Sequence, residues 1–213
     1  MTDKEASWDS YLQISTAGRD EVLADQHHHP YEPTPYAVLE RLAESGLLRE
    51  GNTLLDYGCG KGRVGLFLAA RTGVRTVGVE FDGRMHQAAM ENRRTVRSGS
   101  AQAEFVLTRA ESYALPPEVD RCYFFNPFSL EIFHKVLARI LESYYEDPRE
   151  ILLFFYYPAP EYISRLMAVE ELEFYDDIPC GDLFPGNDLR EQILIFRLPG
   201  YGPGSDDQIP FTE

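Results

Sequence analysis

The 213-residue chain has few cysteines, no long apolar run and a shortage of basic residues. Its three cysteines, Cys59, Cys122 and Cys180, are scattered and show no CxxC spacing. This pattern predicts reduced thiols rather than a disulfide framework or a zinc site. The longest apolar run, residues 151–157, is far too short to span a bilayer. The first residues also lack the basic and apolar regions of a signal peptide, so we expect a cytoplasmic protein without membrane contact.

Basic residues number 20 against 35 acidic ones, which gives a net charge of −15. This balance argues against nucleic-acid binding, which depends on Lys and Arg neutralising phosphates. It favours cationic ligands or partners, although an acidic surface with no partner fits the composition equally well. Residues 27–29 are adjacent histidines, which cannot converge on a metal without ligands from elsewhere. We therefore predict a solvated loop there and no metal site.

The length favours one domain, and the composition divides the chain into three parts. Residues 1–30 are polar and are expected to be irregular, with short helical patches at best. Residues 31–198 are expected to form a single domain, which begins with a Pro- and Tyr-rich segment and a short helix over 31–50. Residues 199–213 are rich in Gly, Pro and Asp and predict a flexible acidic tail.

Strand and helix patterns alternate from residue 53 onward. Repeated strand–helix–strand units predict right-handed crossovers and a doubly wound α/β fold, with a mostly parallel seven-stranded sheet and helices on both faces. A Gly- and Pro-rich loop rather than a clear helix separates the final two strands, so we expect the last strand to be antiparallel. The predicted strands are 53–57, 76–80, 103–108, 121–126, 151–157, 172–175 and 192–198.

The loop after the first strand is the expected ligand site, because ligands of open α/β sheets bind outside the carboxyl ends of the strands. Asp56 and Tyr57 end that strand and residues 58–62 follow as Gly-Cys-Gly-Lys-Gly. The glycines permit a sharp turn and a close approach of a ligand to the backbone. Glu80 ends the second strand, where its carboxylate can accept hydrogen bonds from both hydroxyls of a ribose.

Three ligand classes compete for such a loop. A phosphate-binding loop of the Walker type needs Ser or Thr after the lysine, but Gly62 follows Lys61. Residues 60–65 match the dinucleotide fingerprint, yet this match leaves Asp56 unexplained, since a carboxylate there would repel a pyrophosphate. An ammonium or sulfonium group would instead be attracted by Asp56.

Residues 55–62 (Leu-Asp-Tyr-Gly-Cys-Gly-Lys-Gly) resemble the first motif of class I S-adenosylmethionine-dependent methyltransferases. Residues 77–82 (Val-Gly-Val-Glu-Phe-Asp) are similar to their second motif, and the order of elements from 33 to 198 agrees with their Rossmann-like methyltransferase fold. The simpler alternative is that the glycines serve only a tight turn. The resemblance implies S-adenosylmethionine as the cofactor. It places the ribose at Glu80, the adenine against Phe81 and the methionyl part in the loop near Asp56. The loop residues that would hold the methionyl part are Gly58, Cys59, Gly60 and Gly62.

The third motif of that family departs from its usual form in this chain. The family often places an acid after the third strand to meet the adenine amino group, and Arg109 stands at that position. The resemblance therefore implies that adenine is bound by the backbone of Ala110 or by Glu111.

Residues 126–128 (Asn-Pro-Phe) end the fourth strand and are the expected catalytic segment. They are similar to the Asn-Pro-Pro-Tyr/Phe motif of amino methyltransferases, although one proline is missing. They also resemble the Asn-containing segment of the non-SET lysine methyltransferases. The carboxamide of Asn126 could orient an amine, and Phe128 could pack against its methylene stem or hold its cation. The alternative is that Asn126 is a turn residue.

Residues 31–36 (Tyr-Glu-Pro-Thr-Pro-Tyr) support the likeness to the lysine enzymes, in which a Tyr- and Thr-bearing loop closes over the methionyl group. The resemblance assigns Thr34 to a cofactor contact and residues 31–50 to a lid. A polyproline connector is the alternative interpretation.

Together these patterns predict a methyltransferase that transfers a methyl group to an amine nitrogen of a protein lysine or a small molecule, with a basic protein or small amine as the favoured acceptor. A non-catalytic module that binds S-adenosylmethionine or a nucleoside is the first alternative. A nicotinamide oxidoreductase is the second.

Overall fold

The computed structural model describes residues 3–20, 31–97 and 102–200. The three adjacent histidines and the predicted tail from residue 201 onward lie outside the described residues. No helix of the described part is long and apolar enough to cross a membrane. Within those same ranges, no group of three or more His, Cys, Asp or Glu side chains is placed to hold a metal ion. The three cysteines are free and buried.

The described residues contain seven strands and six α-helices, and the strand bounds are close to those predicted from the sequence. The strands are β1 (Thr53–Tyr57), β2 (Arg75–Glu80), β3 (Ala103–Leu107), β4 (Arg121–Phe124), β5 (Ile151–Tyr156), β6 (Glu173–Pro179) and β7 (Gln192–Leu198). The helices are α1 (Asp3–Leu12), α2 (Tyr36–Glu44), α3 (Arg63–Thr72), α4 (Gly83–Thr95), α5 (Leu130–Glu146) and α6 (Pro160–Leu166).

All seven strands belong to one sheet in the order β3-β2-β1-β4-β5-β7-β6. β1 to β5 pair in parallel, whereas β7 pairs antiparallel with both β5 and β6. The doubly wound sheet and its antiparallel last strand are therefore confirmed. The chain runs outward from β1 to β3 and then returns to β4 on the other side of β1. This reversal opens a crevice at the carboxyl ends of β1 and β4.

Two hydrophobic clusters fill the space on the two faces of the sheet. Neighbouring strand residues point to opposite faces, so Leu54 belongs to the cluster that contains α2 and α3, and Leu55 to the one that contains α5 and α6. Every residue of β5 is buried, as expected of a strand covered on both faces. This packing fixes the strand ends around the crevice.

The N-terminal residues differ from the sequence prediction. Polarity indicated an irregular segment, whereas residues 3–12 form α1, and Leu12 and Ile14 are buried in the core. Trp8 packs its ring 4.9 Å from Phe67, with an interplanar angle of 85°. Its indole N–H also donates to Glu40 Oε1 at 2.9 Å. These contacts with the rest of the chain explain why a segment with little apolar periodicity is ordered as a helix.

Candidate active site

A cleft lies at the carboxyl ends of β1, β2 and β4 and extends below residues 31–34. It collects ten of the twelve site residues predicted from the sequence. Gly60 and Gly62 do not line it. The ten are Thr34, Asp56, Gly58, Cys59, Glu80, Phe81, Ala110, Glu111, Asn126 and Phe128.

The glycine-rich loop is tightly enclosed by its neighbours. A Cβ on Gly58, whose φ is +75°, would lie 2.6 Å from Pro127 Cβ. A Cβ on Gly60 would lie 2.2 Å from the ring of Tyr31. Gly62 caps α3 with a left-handed backbone. The last two glycines therefore serve the packing of the loop, and Gly58 brings its backbone to the cleft wall.

Glu80 ties this loop to the end of β2. Its Oε2 accepts a hydrogen bond from the backbone N–H of Gly60 at 2.8 Å. Its Oε1 accepts from the N–H groups of Phe81 at 2.9 Å and Asp82 at 2.8 Å. The pKa of Glu80 is raised, because burial penalises the charged carboxylate more than the three hydrogen bonds favour it. The side chain thus shapes the loop as well as facing the cleft.

Asp56 is a buried carboxyl group in the cleft wall with an unused polar atom. The residue is 4% exposed, and its Oδ2 has no hydrogen-bond partner among the described residues. Burial raises the pKa of Asp56 to about 8, and the charge of Glu80 adds to the increase. Since buried polar atoms are normally satisfied, this arrangement favours a cationic or hydrogen-bonding ligand at this position.

The predicted lid residues cover one side of the cleft. Residues 31–34 line it, and the Thr34 hydroxyl forms a 3.0 Å hydrogen bond with the Tyr123 hydroxyl on β4. The Tyr31 ring lies against Gly60. The segment is therefore in contact with both the glycine loop and the central strand.

Phe81, Ala110 and Glu111 line the part of the cleft beyond β2 and β3. Arg109, which occupies the expected position of the adenine-binding acid, also lines the cleft. Its Nη1 lies 3.7 Å from Glu111 Oε1. The structure therefore brings both predicted adenine-binding residues, Ala110 and Glu111, to the cleft.

Asn126 and Phe128 form the other end of the cleft. The Asn126 side-chain Nδ2 donates to the backbone oxygen of Tyr157 at 2.5 Å. Its Oδ1 accepts from the N–H of Ala159 at 3.0 Å. Phe128 is buried, and its backbone oxygen accepts from the Tyr162 hydroxyl at 2.5 Å. Both polar atoms of the carboxamide are thus bonded to the chain that follows β5, a use that the sequence did not reveal.

Tyr123 and Arg63 also line the cleft and were not among the predicted site residues. Arg63 is the first residue of α3, is 2% exposed and donates from Nη1 to the backbone oxygen of Thr34 at 3.1 Å. A buried arginine needs acidic partners. The acidic residues Glu5 and Asp9 are four residues apart, so they lie on the same face of a helix, where both can be partners of one arginine. That spacing was the available sequence signal.

Comparisons with known proteins agree with this fold. A family model described as "Methyltransferase domain" matches residues 54–146. A protein-lysine N-methyltransferase from Saccharolobus islandicus (strain REY15A) is 35% identical over 66 residues, which cover 30% of this chain and 41% of that protein. The chain therefore matches about two-fifths of the length of that relative.

Solved structures share the fold at low sequence identity. An RNA methyltransferase from Salinibacter ruber, in complex with S-adenosyl-L-homocysteine, has a TM-score of 0.53 and 20% identity, over 83% of this chain and 100% of that one. The [4+2]-cyclase SpnF has a TM-score of 0.59 and 18% identity, over 77% of this chain and 80% of that one.

The family match runs from β1 to the end of α5 and so contains the glycine loop, Glu80, and the residues 126–128 that end the cleft. This matched segment also builds the reversal point of the seven-strand sheet, so the chain is similar to a methyltransferase domain over residues 54–146 and has the Rossmann-like fold of class I, S-adenosylmethionine-dependent methyltransferases.

Proposed function

We propose that the chain binds S-adenosylmethionine in this cleft and transfers its methyl group to an amine nitrogen, either of a protein lysine or of a small molecule. The observation that carries the proposal is the buried Asp56 carboxyl group, whose Oδ2 lacks a partner among the described residues. A buried carboxyl group gains most from a cationic or N–H-bearing ligand. The ammonium and sulfonium groups of S-adenosylmethionine are cations of this kind.

The charges of the cleft suit such a ligand. Six carboxyl groups line it against three guanidinium groups, so its lining is acidic. The carboxyl groups belong to Asp20, Glu32, Asp56, Glu80, Asp82 and Glu111, and the guanidinium groups to Arg63, Arg84 and Arg109.

The residues of the cleft divide between the parts of the cofactor. We assign the methionyl part to the Gly58–Cys59 backbone, Asp56 and Thr34. The ribose hydroxyls are assigned to Glu80, whose Oε2 accepts a single hydrogen bond among the described residues and has capacity for another. The adenine is assigned to the three residues at the far end, Phe81, Ala110 and Glu111.

Methyl transfer requires alignment and the exclusion of water more than a strong base. When bound, the cofactor supplies a methyl group that is already activated by its positively charged sulfur. Phe128 offers an apolar wall at the acceptor end, and the lid residues 31–34 cover the cleft from outside. Asn126 fixes the backbone of Tyr157 and Ala159 beside that wall, which gives the acceptor a defined position.

An amine acceptor is supported by three observations. The Asn-Pro-Phe segment follows β4 and lines the cleft. The aligned relative is described as a protein-lysine N-methyltransferase. The chain carries a net charge of −15, which attracts basic proteins and amines.

Two measurements test the proposal. Calorimetry with S-adenosylhomocysteine should show binding to the wild type, and Asp56→Asn should weaken it by about tenfold, because a charge-assisted contact is lost. Asp176→Asn, an exposed carboxylate on β6, is the matched control and should bind as the wild type does. Incubation of a proteome extract with labelled S-adenosylmethionine and the enzyme should then place label on lysine or small-amine nitrogen. Absence of binding would refute the assignment of the cleft, and label on oxygen or carbon would refute only the amine acceptor.

A non-catalytic module that binds S-adenosylmethionine is the second candidate, because both polar atoms of Asn126 are already bonded to backbone groups. Single-turnover methyl transfer distinguishes the two: the module would bind the cofactor and never transfer its methyl group. A nicotinamide oxidoreductase would instead show a thermal shift with NAD and none with S-adenosylhomocysteine.

A further inference from the structure

Arg63 lies behind the lid, where four chain segments meet. Its Nε donates to the Thr16 hydroxyl at 2.7 Å, and its Nη1 donates to the backbone oxygen of Thr34 at 3.1 Å. The guanidinium lies 4.2 Å from the centre of the Tyr36 ring. Because Arg63 directly follows the glycine loop, these contacts connect that loop to Thr16 and to the second half of the lid segment 31–36.

Two carboxylates of α1 complete this network. Glu5 forms an ion pair with Arg63 Nη1, and its Oε1 accepts from the backbone N–H of Tyr36 at 2.9 Å. Asp9 Oδ1 lies 3.9 Å from Arg63 Nη2 and accepts from the hydroxyls of Thr16 at 2.7 Å and Tyr36 at 2.5 Å. Removing one partner from a buried ionic network leaves the other charges uncompensated, so these residues hold one another in a single arrangement.

The inner side of the same segment faces the cleft. Tyr31 lies on Gly60, and its hydroxyl donates to the backbone oxygen of Thr16 at 2.6 Å. Thr34 contacts Tyr123 on β4. Neither Glu5 nor Asp9 lines the cleft, whereas Arg63 and residues 31–34 do. The lid is therefore held from outside by α1 through Arg63.

We propose that Arg63 is a positioning residue that latches the lid to α1, and that this latch sets how fast the cofactor leaves the cleft. The inference rests on the proposed function, since it takes S-adenosylmethionine as the occupant of the cleft. An intact latch keeps residues 31–34 closed over the ligand. A broken latch shifts the segment toward open conformations and increases the dissociation rate.

Glu5→Gln and Asp9→Asn test the latch without altering the cleft lining. Each variant should release S-adenosylhomocysteine about tenfold faster than the wild type in stopped-flow displacement, the effect of weakening one charged hydrogen-bonded contact. Arg63→Lys keeps the positive charge but lacks the planar fork, so it should also release the ligand faster. Trp8→Phe, on the same helix as Glu5 and Asp9, is the matched control. It removes the hydrogen bond from the indole to Glu40 and leaves both carboxylates in place.

Amide hydrogen exchange without ligand gives a second readout. The amides of Thr34 and Tyr36 should exchange about tenfold faster in Glu5→Gln and Asp9→Asn than in Trp8→Phe. If Glu5→Gln and Asp9→Asn lower the free energy of unfolding but match Trp8→Phe in both ligand release and exchange of the lid amides, the proposal that Arg63 latches the lid is wrong. Failure of the wild type to bind S-adenosylhomocysteine would instead refute the proposed function and with it the role in ligand release. The exchange measurement would still decide whether Arg63 holds the lid.

Discussion

Asn126 and Tyr157 are joined by a 2.5 Å hydrogen bond from the Asn126 side-chain nitrogen to the Tyr157 backbone oxygen, and both have a left-handed backbone. Their φ angles are +40° and +46°, a conformation that asparagine tolerates and that is unfavourable for a bulky residue such as tyrosine. Such strain persists only where surrounding contacts hold it. The bond therefore fixes the turns after β4 and β5 against each other at the proposed acceptor end of the cleft.

Asn126→Ala should impair both folding and methyl transfer. It removes the hydrogen bonds to Tyr157 and Ala159, so the free energy of unfolding should fall by about 1–3 kcal/mol in urea denaturation. Turnover should fall by about tenfold to a thousandfold, because the acceptor end loses its fixed geometry. Binding of S-adenosylhomocysteine should be nearly unchanged.

Asn126→Gly separates strain from hydrogen bonding, since glycine accepts a positive φ but supplies no amide. It should be more stable than Asn126→Ala and equally slow. Wild-type turnover in both variants would leave Asn126 with a structural role alone.

Glu80→Ala should weaken the binding of S-adenosylhomocysteine. The change removes the acceptor proposed for the ribose hydroxyls and also frees the N–H groups of Gly60, Phe81 and Asp82. We expect a loss of about 1–3 kcal/mol of binding free energy in calorimetry, the usual cost of losing a charged hydrogen-bond partner. Glu104→Ala, which alters an exposed residue of β3, is the control. Equal affinities in the two variants would contradict the ribose assignment.

The sheet and most of the cleft were predictable because their signals are local. β1 and β2 are short apolar runs whose ends are marked by Gly58 and Glu80, and parallel pairing then brings those ends to one edge of the sheet. The order of elements followed from the same pattern, and the antiparallel last strand followed from the Gly- and Pro-rich loop that takes the place of a helix before it.

The partners of polar side chains were not predictable. The sequence singled out Asn126, but its bonds reach Tyr157 and Ala159, beyond the next helix and strand. α1 has few apolar positions, and part of its contact with the rest of the chain is polar, through Asp9 beside Arg63 and Trp8 bonded to Glu40. Such long-range polar contacts leave no periodic pattern in the sequence.

Asp56 should make the stability of the ligand-free protein fall as the pH rises. Its pKa in the folded protein is raised from 3.8 to about 8, so the folded state binds more protons than the unfolded state between these values. The stabilising contribution of the protonated group is complete below the lower value and is lost as the pH rises through the higher one. Burial is the main cause, and the charge of Glu80 is the second.

Asp56→Asn should therefore reduce the decline in unfolding free energy between pH 5 and about pH 8, measured by urea denaturation at a series of pH values. A smaller slope should remain, because the pKa of Glu80 is also raised. Asp176→Asn on the surface should keep the wild-type slope. Identical slopes in Asp56→Asn and the wild type would show that Asp56 titrates normally in the folded protein.

Closure of residues 31–36 should strengthen when S-adenosylhomocysteine binds. The Thr34 hydroxyl holds Tyr123 on the central strand at 3.0 Å, and Pro33 and Pro35 restrict the backbone on either side, so a ligand beneath the segment should stabilise the closed arrangement. Amide exchange at Glu32, Thr34 and Tyr36 should slow by about tenfold or more at saturating ligand, while exchange in the exposed strand β6 stays constant. Tyr123→Phe removes only the hydroxyl partner of Thr34, so ligand should slow exchange at these amides less in this variant than in the wild type. If ligand slows exchange at the glycine loop but not at these three amides, the segment is a connector and the cofactor is held without it.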